Sequence, residues 1–151
     1  MASDLLNIVM YIVYLPIIIL IHELGHAVFV VLVGGKVKEV SIGRGEEAAR
    51  FGKFVINKKS WWRGFCAWED IDSLAKYKKL LIYMGGIIFN LTTATVVWIL
   101  GDAQYADWYR PFIVASYFMA VLNLLPIVYK NLNLKSDGVQ CLELIKSTGG
   151  K

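Results

Sequence analysis

The sequence contains 2 histidines, and both lie in the segment His22-Glu23-Leu24-Gly25-His26. On an α-helix, residues four positions apart share one face, so the two imidazoles can reach the same metal ion. Histidine nitrogens at roughly 2.0–2.1 Å are typical ligands of zinc. Glu23 is turned by about 100° from His22, because a helix has roughly 3.6 residues per turn, and it therefore stands beside the metal. In zinc metalloproteases, a glutamate placed in this way takes a proton from an activated water and passes it to a leaving amine.

This segment lies inside a strongly apolar stretch. Residues 5–21 include no charged side chain, and the apolar run continues after Glu23 to Val33. An ionisable residue at the centre of a membrane helix costs about 2.5–3.5 kcal/mol on insertion scales. A chance match in a solvated helix is the alternative, but it does not explain three ionisable groups in an apolar run. We therefore predict that His22 and His26 bind Zn²⁺ and that Glu23 is the catalytic general base and acid.

A catalytic zinc site needs a third protein ligand and an open position for water. No histidine remains, and the two cysteines, Cys66 and Cys141, are too far apart in the sequence to form a zinc-binding pattern. A carboxylate is therefore the best candidate. Asp137 follows the third apolar stretch, on the side toward which the two histidines point. Asp is also a favoured N-cap, and a helix is expected to begin at Gly138, although Ser136 could cap it instead. The spacing alone favours neither role for Asp137.

Three apolar stretches are long enough for a transmembrane helix, which needs about 20 residues. They are residues 5–33, 80–100 and 111–129. The composition agrees, with 57% hydrophobic residues and a mean hydropathy of +0.54. Pro16 is expected to bend the first helix, and Gly34-Gly35 to end it.

The positive charges are concentrated in the connection between the first two stretches. Of the 16 lysines and arginines, 11 lie in residues 36–79, one in residues 101–110, and four after the third stretch. The positive-inside rule then predicts a multi-pass protein of the cell membrane, with its N-terminus outside and its C-terminus cytoplasmic. The basic residues form no stripe apart from the membrane flanks, so nucleic-acid binding is not expected. Cytoplasmic cysteines should stay reduced.

The predicted fold is a mainly α membrane protein in a single domain of residues 1–151. It has three transmembrane helices, a short membrane-associated β region between the first and second, and a short C-terminal amphipathic helix. In the basic loop (residues 35–79), β-prone runs at 36–43, 51–57 and 64–68 predict two or three short strands, with turns at 43–45 and 57–60. An amphipathic lead-in is expected at 70–79 and the C-terminal helix at 139–146. Trp61, Trp62 and Trp68 beside basic residues suit the lipid headgroup layer, with a direct substrate role as the alternative.

These features together resemble the site-2 protease family of intramembrane zinc metalloproteases. That family has a His-Glu-x-x-His helix and a later Asn-x-x-Pro segment followed by Leu-Asp-Gly, whose aspartate is the third zinc ligand. The matching residues here are Asn123-Leu-Leu-Pro126 and Asp137-Gly138. Gly86-Ile-Ile-Phe-Asn90 resembles the family's Gly-Pro-x-x-Asn signature, with Ile87 in place of proline, and residues 40–45 resemble the start of its β region. The resemblance covers nearly the whole chain as a bare three-span core.

One spacing departs from that family, because eleven positions separate Pro126 from Asp137 and Ser136 replaces the usual leucine. Extra loop length costs little closure entropy, so the resemblance still implies that Asp137 is the third zinc ligand. It also implies that Asn90 and Asn123 help to hold substrate near the metal. Hydrogen bonding between helices is the alternative for both asparagines.

The expected function is that of an intramembrane zinc metalloendopeptidase that cleaves membrane-spanning or membrane-inserted peptides. Its expected partners are a membrane-embedded peptide or protein substrate and the lipid bilayer, with no prediction of an oligomeric state. The strands after Gly35 could receive an unwound substrate segment by β-addition, because the amides of a helix are already paired. The alternative is a non-catalytic membrane binding partner, such as an immunity or escort protein, that keeps the zinc site. A metal transporter is disfavoured, since the second and third spans contain no histidine or acidic residue.

Overall fold

The computed structural model describes residues 2–129 and 134–147. The described part of the chain is mostly helical, with a long two-stranded antiparallel sheet after the first helix. In chain order the elements are α1 (Ala2–Leu32), β1 (Lys36–Phe51), β2 (Phe54–Glu69), α2 (Lys76–Leu100), a 3-10 turn (Ala103–Tyr105), α3 (Ala106–Leu124), β3 (Val128–Tyr129), β4 (Leu134–Lys135) and α4 (Asp137–Lys146). The predicted mainly α fold, the β region between the first two long helices and the C-terminal helix are confirmed.

Two of the described helices are long and apolar enough to cross a membrane. They are α1, over Leu6–Leu32, and α2. The third predicted span coincides with α3, which does not reach the same length and apolarity, so its place in a membrane stays a prediction. The predicted bounds of 111–129 were wrong: α3 begins at Ala106 and ends at Leu124. Leu125 precedes Pro126 and is extended, with φ −66° and ψ 137°, because proline disfavours the helical conformation in the residue before it.

Helix α1 ends at the two glycines, as predicted. Gly34 has a positive φ of 93°, and its amide donates to the carbonyl of Val31 at 3.1 Å. The Gly35 amide donates to the carbonyl of Val30 at 2.8 Å. This pair of hydrogen bonds is the Schellman pattern, in which the first residue beyond the helix is left-handed. The chain therefore turns sharply from α1 into β1.

The β region differs from the prediction of two or three short strands. It consists of two 16-residue strands, β1 and β2, that reverse at Gly52, where φ is +62°. The predicted turns are bends inside continuous strands, since Gly43 and Gly45 have φ of +82° and +87° and Ser60 has φ of 54°. Residues 40–42 pair with residues 54–56 on one side and 64–66 on the other, so the ribbon folds back on itself.

The segment between β2 and α2 is irregular. Residues 70–75 form turns, and the helix begins at Lys76, so the predicted amphipathic lead-in at 70–79 is only partly helical. Asp70 has a positive φ of 61°, which ends the extended chain of β2 and redirects it toward α2.

A compact apolar cluster joins α1, the base of the β-ribbon and the start of α2. Its buried members are Ala27, Val30, Val37, Val40, Cys66, Ile71 and Ile82. Trp68 and Tyr83 pack against this cluster, and the Trp68 ring lies 6.2 Å from that of His26. Burial of these side chains fixes the sheet against the histidine-bearing part of α1.

Helices α1 and α2 cross with their backbones in contact. A Cβ atom added to Gly25 would overlap the carbonyl oxygen of Gly85, and one added to Gly85 would lie 2.6 Å from the carbonyl oxygen of Gly25. Small residues at such a crossing let two apolar helices approach closely. Phe29 and Phe89 pack edge to face beside the contact, with ring centroids 6.4 Å apart.

We predict that Gly25→Ala destabilises the protein by about 1–3 kcal/mol, because the added methyl group must push the helices apart. Alanine is intrinsically favoured over glycine within a helix by about 1 kcal/mol, so a loss of stability would show that the steric overlap outweighs this preference. Thermal unfolding in detergent measures the effect. Val31→Ala, at a position on the same helix that is 63% exposed, is the control and should change little. A Gly25→Ala protein as stable as wild type would contradict the close crossing.

Candidate metal centre

One face of α1 carries the predicted chemical groups. His22, Glu23 and His26 are all buried, with 3%, 9% and 4% of their surfaces exposed. The two imidazoles meet edge to face, with ring centroids 4.8 Å apart, and their Nε2 atoms are 3.2 Å apart. The spacing of four residues therefore brings the two nitrogens together, as helical periodicity requires.

Asp137 reaches this pair from the start of α4, 115 positions away from His22. Its Oδ2 atom lies 3.0 Å from Nε2 of His22 and 3.5 Å from Nε2 of His26. A tetrahedral zinc ion with bonds of roughly 2.0–2.1 Å keeps its ligand atoms about 3.3 Å apart. The three observed separations bracket that value, so the two imidazoles and the carboxylate fit a single zinc ion. Among the described residues, these three are the His, Cys, Asp or Glu side chains gathered closely enough to share an ion.

A hydrogen-bonded clasp at Ser136 brings Asp137 to the histidines. The Ser136 amide donates to the carbonyl of Ile127 at 3.1 Å, and the Ile127 amide donates to Oγ of Ser136 at 3.1 Å. The same hydroxyl donates to the carbonyl of Leu125 at 2.6 Å. The clasp therefore joins the two ends of the connection that follows α3.

The long spacing between Pro126 and Asp137 is taken up by a small hairpin. Strands β3 and β4 pair antiparallel, with Val128 opposite Lys135, while residues 130–133 of the predicted polar stretch lie outside the described residues. Gly138 lies directly on the end of α3, because a Cβ there would overlap the carbonyl oxygen of Leu124. The pairing of β3 with β4 thus returns the chain, and α4 begins beside the end of α3.

Ser136, rather than Asp137, caps α4. Its side chain accepts a hydrogen bond from the Val139 amide, and Asp137 is the first residue of the helix. Burial alone would raise the pKa of Asp137, but hydrogen bonds from His22 and His26 outweigh it and lower that pKa to about 2. The carboxylate is therefore ionised. Of the two roles that the sequence left open, the cap belongs to Ser136, and zinc binding by Asp137 stays a prediction.

Helix α2 contacts both imidazoles from the other side. Nδ1 of His26 lies 2.7 Å from the carbonyl oxygen of Ile82. The His22 ring packs on Gly86, where a Cβ would come within 2.6 Å of its Nε2 and Cε1 atoms. Asn90, with 0% of its surface exposed, places Nδ2 3.3 Å from Nδ1 of His22. No sequence pattern predicts the Ile82 contact, because it uses a backbone carbonyl that any residue would supply.

Strand β2 passes directly over Glu23. A Cβ on Gly64 would lie 2.5 Å from Cγ and Oε1 of Glu23 and 2.7 Å from Cγ2 of Ile19. Glycine is needed here because backbone and carboxylate touch. The sequence indicates Gly64 only as part of a β-prone run, and that pattern does not predict its contact with Glu23.

An open cleft of about 1350 Å³ leads to these groups. The two histidines, Glu23 and Asp137 line it, together with residues 62–68 of β2 and parts of α3 and α4. Asn123 also lines the cleft, and its Nδ2 donates to the carbonyl of Met119 in the same helix at 3.0 Å. Asn90 lies behind His22 and is not among the lining residues. Substrate contact by either asparagine stays a prediction.

Both cysteines are buried free thiols. Burial raises the pKa of Cys66, which lines the cleft, to about 12, and that of Cys141 to about 11. Protonated thiols are poor metal ligands at neutral pH. This agrees with the interpretation that neither cysteine takes part in the site.

The part of the sequence that carries His22, Glu23 and His26 matches a known enzyme family. Residues 10–106, which include most of α1, the β region, α2 and the turn after it, match peptidase family M50. More than half of the chain is covered, and this chain belongs to that family, which is the site-2 protease family that the motifs resemble.

Two bacterial relatives were found by sequence similarity. The "Uncharacterized membrane protein YwmF" of Bacillus subtilis is 24% identical over 139 residues, covering 90% of this chain and 86% of the relative. A "Putative zinc metalloprotease" of Borreliella burgdorferi is 32% identical over 120 residues, covering 60% of this chain. This chain spans only 27% of the length of that second relative.

We predict that Ser136→Ala loosens the start of α4, because it removes both the clasp and the N-cap. Loss of an N-cap side chain costs about 1 kcal/mol, which corresponds to roughly fivefold faster opening. Hydrogen–deuterium exchange at the amides of residues 137–141 measures this change. Ser147→Ala, at the exposed C-cap of the same helix, is the control and should leave those amides unaffected. Equal exchange rates in Ser136→Ala and wild type would show that Ser136 does not hold Asp137 in place.

Proposed function

We propose that this member of peptidase family M50 is an intramembrane zinc metalloendopeptidase that cleaves membrane-spanning or membrane-inserted peptides. The observation that carries the proposal is the meeting of His22, His26 and Asp137 at separations of 3.0–3.5 Å. Glu23 follows His22 directly in the sequence and lines the same cleft.

His22, His26 and Asp137 would hold the ion, and Glu23 would transfer protons. Bound Zn²⁺ supplies a Lewis acid that polarises the scissile carbonyl and brings the pKa of a water to about 7. As water adds to the carbonyl carbon, the Glu23 carboxylate accepts one of its protons. Glu23 then delivers this proton to the amine nitrogen as the C–N bond breaks. Glu23 is 9% exposed, and the low dielectric of its surroundings would strengthen its interactions with the reacting groups.

The outward surfaces of the long helices support a place in the bilayer. In α1, Ile8, Ile12 and Val31 are 57%, 53% and 63% exposed, and in α2 Ile99 is 72% exposed. Soluble proteins rarely expose extended apolar surfaces of this kind. Helix α3 likewise exposes apolar side chains, among them Phe118 at 63%, which favours its assignment as a third span. The proposed cut lies nearer the cytoplasmic side, because the positive-inside rule favours a cytoplasmic basic loop and His22 lies past the middle of α1.

The cleft offers a strand for the substrate. All seven residues from Trp62 to Trp68 line it, and the same segment pairs on one side with β1, where Gly64 lies opposite Ile42 and Cys66 opposite Val40. In the described residues no further strand pairs with its other side. An extended peptide could add there through backbone hydrogen bonds. A helical substrate must first unwind, because its backbone amides are already paired. Asn123 would contact such a peptide from the opposite wall.

We predict that Glu23→Gln lowers peptide cleavage by roughly 10²–10⁴-fold, the usual contribution of a general acid–base group, while zinc stays bound. Cleavage of an apolar transmembrane peptide in proteoliposomes and the metal content of the purified protein are the two measurements. Glu143→Gln is the matched control, since Glu143 lines the same cleft but pairs with Lys135. Undiminished cleavage by Glu23→Gln would exclude the mechanism. Zinc binding by a wild-type protein that cuts no peptide would favour the non-catalytic binding partner.

We predict that Asp137→Asn weakens zinc binding by more than the roughly 10–100-fold that the loss of an outer-shell partner costs. Asparagine has the same shape without the charge, and Ser136 still caps α4, so the fold should be kept. Competition with a chelator of known affinity gives the dissociation constant. Asp102→Asn, at the exposed cap of the 3-10 turn, is the control. An unchanged zinc affinity in Asp137→Asn would remove Asp137 from the ligand set.

A further inference from the structure

Asn90 has a buried polar atom whose partner is missing. Its side chain lies on α2 with none of its surface exposed, and Nδ2 is 3.3 Å from Nδ1 of His22. Its other amide atom, Oδ1, is buried and has no hydrogen-bond partner in the described part of the chain. A buried carbonyl oxygen without a donor is destabilising, so this arrangement needs an explanation.

The proton positions on the two imidazoles supply one. Nδ1 of His26 faces the carbonyl oxygen of Ile82, which can only accept, so Nδ1 carries a proton and the neutral ring has Nε2 free to bind an ion. Nε2 of His22 faces the same cluster as Nε2 of His26. If it is to bind an ion there, the neutral His22 ring must also carry its proton on Nδ1.

An N–H group on His22 cannot be paired with the NH₂ group of Asn90, because both are donors. Rotation of the Asn90 amide by 180° exchanges two atoms of nearly equal size and presents Oδ1 to Nδ1 of His22. The same rotation gives the orphaned oxygen a donor and moves the NH₂ group to the position that Oδ1 held. We infer that Asn90 is a positioning residue, whose Oδ1 accepts from Nδ1–H of His22 and holds that imidazole ready to bind zinc through Nε2.

The place of Asn90 on α2 fits this role. Ile82, Gly86 and Asn90 recur at four-residue intervals and so lie on one face of the helix. Ile82 accepts from His26, Gly86 leaves space for the His22 ring, and Asn90 contacts Nδ1 of His22. One helix face thus fixes the orientation and tautomer of both histidines. Complete burial behind His22 also explains why Asn90 does not line the cleft.

The inference rests on the proposed zinc site, and zinc affinity tests it directly. Asn90→Leu keeps the approximate size but has no acceptor, so we expect zinc affinity, measured by chelator competition, to fall by roughly 10–100-fold. Asn90→Asp keeps an acceptor and should bind zinc at least as well as wild type. Thr95→Val is the matched control, because Thr95 joins α2 to α3 through Tyr117 at 2.8 Å without touching a histidine. Its zinc affinity should not change.

Nuclear magnetic resonance of zinc-loaded protein labelled with ¹⁵N-histidine reads the tautomer itself. We expect a proton on Nδ1 of His22 in wild type and in Asn90→Asp. A His22 Nδ1 without a proton in the loaded wild type overturns the inference, even if Asn90→Leu fails to fold.

The affinity results separate this inference from the proposed function. Equal zinc affinity in Asn90→Leu and wild type overturns the positioning role and leaves the protease proposal standing. A changed KM with unchanged zinc affinity also overturns it, and assigns Asn90 to substrate binding instead. A wild-type protein that binds no zinc overturns both.

Discussion

The backbone contact between α1 and α2 at Gly25 and Gly85 is the constraint on which the site depends. Because neither residue carries a Cβ, the helices approach closely enough for the Ile82 carbonyl to reach His26 and for the His22 ring to rest on Gly86. In apolar surroundings such hydrogen bonds meet little competition from water, and an unmade one is costly. The close packing of the two helices therefore also orients the two histidines. A change that separates the helices would disturb both imidazoles.

The parts of the site that the sequence predicted are those set by local periodicity. His22, Glu23 and His26 share one helix, so a spacing of four determines their relation before any tertiary contact forms. The role of Asp137 does not follow from local periodicity. Its spacing is compatible with both an N-cap and a zinc ligand, and only the family resemblance favours zinc binding. The structure assigns the cap to Ser136, whose hydroxyl accepts from the Val139 amide and also makes contacts with Leu125 and Ile127. Those contacts close a hairpin, and their partners are backbone atoms, which leave no signature in the side-chain pattern.

The errors in the predicted fold have the same origin. Gly43 and Gly45 predict a turn because glycine permits positive φ. Both residues do adopt positive φ, but the pairing of β1 with β2 continues through the bend. Helix α3 was extended to Tyr129 because its apolar run continues that far, whereas Pro126 ends the helix earlier. In both cases backbone geometry, rather than the residue pattern, decides the boundary.

The contact of Gly64 with Glu23 links the sheet to the proposed chemistry. Neighbouring strands lie about 4.7–4.9 Å apart, so a peptide added beside residues 62–68 would run within about one strand spacing of Gly64. Glu23 touches Gly64, and so a backbone in that position would pass within reach of its carboxylate. The histidines and Asp137 line the same cleft, so all the proposed reacting groups face the space that such a peptide would occupy. In the proposed function, the long bent ribbon would position substrate relative to α1, because its second strand is already fixed against Glu23, the proposed general base.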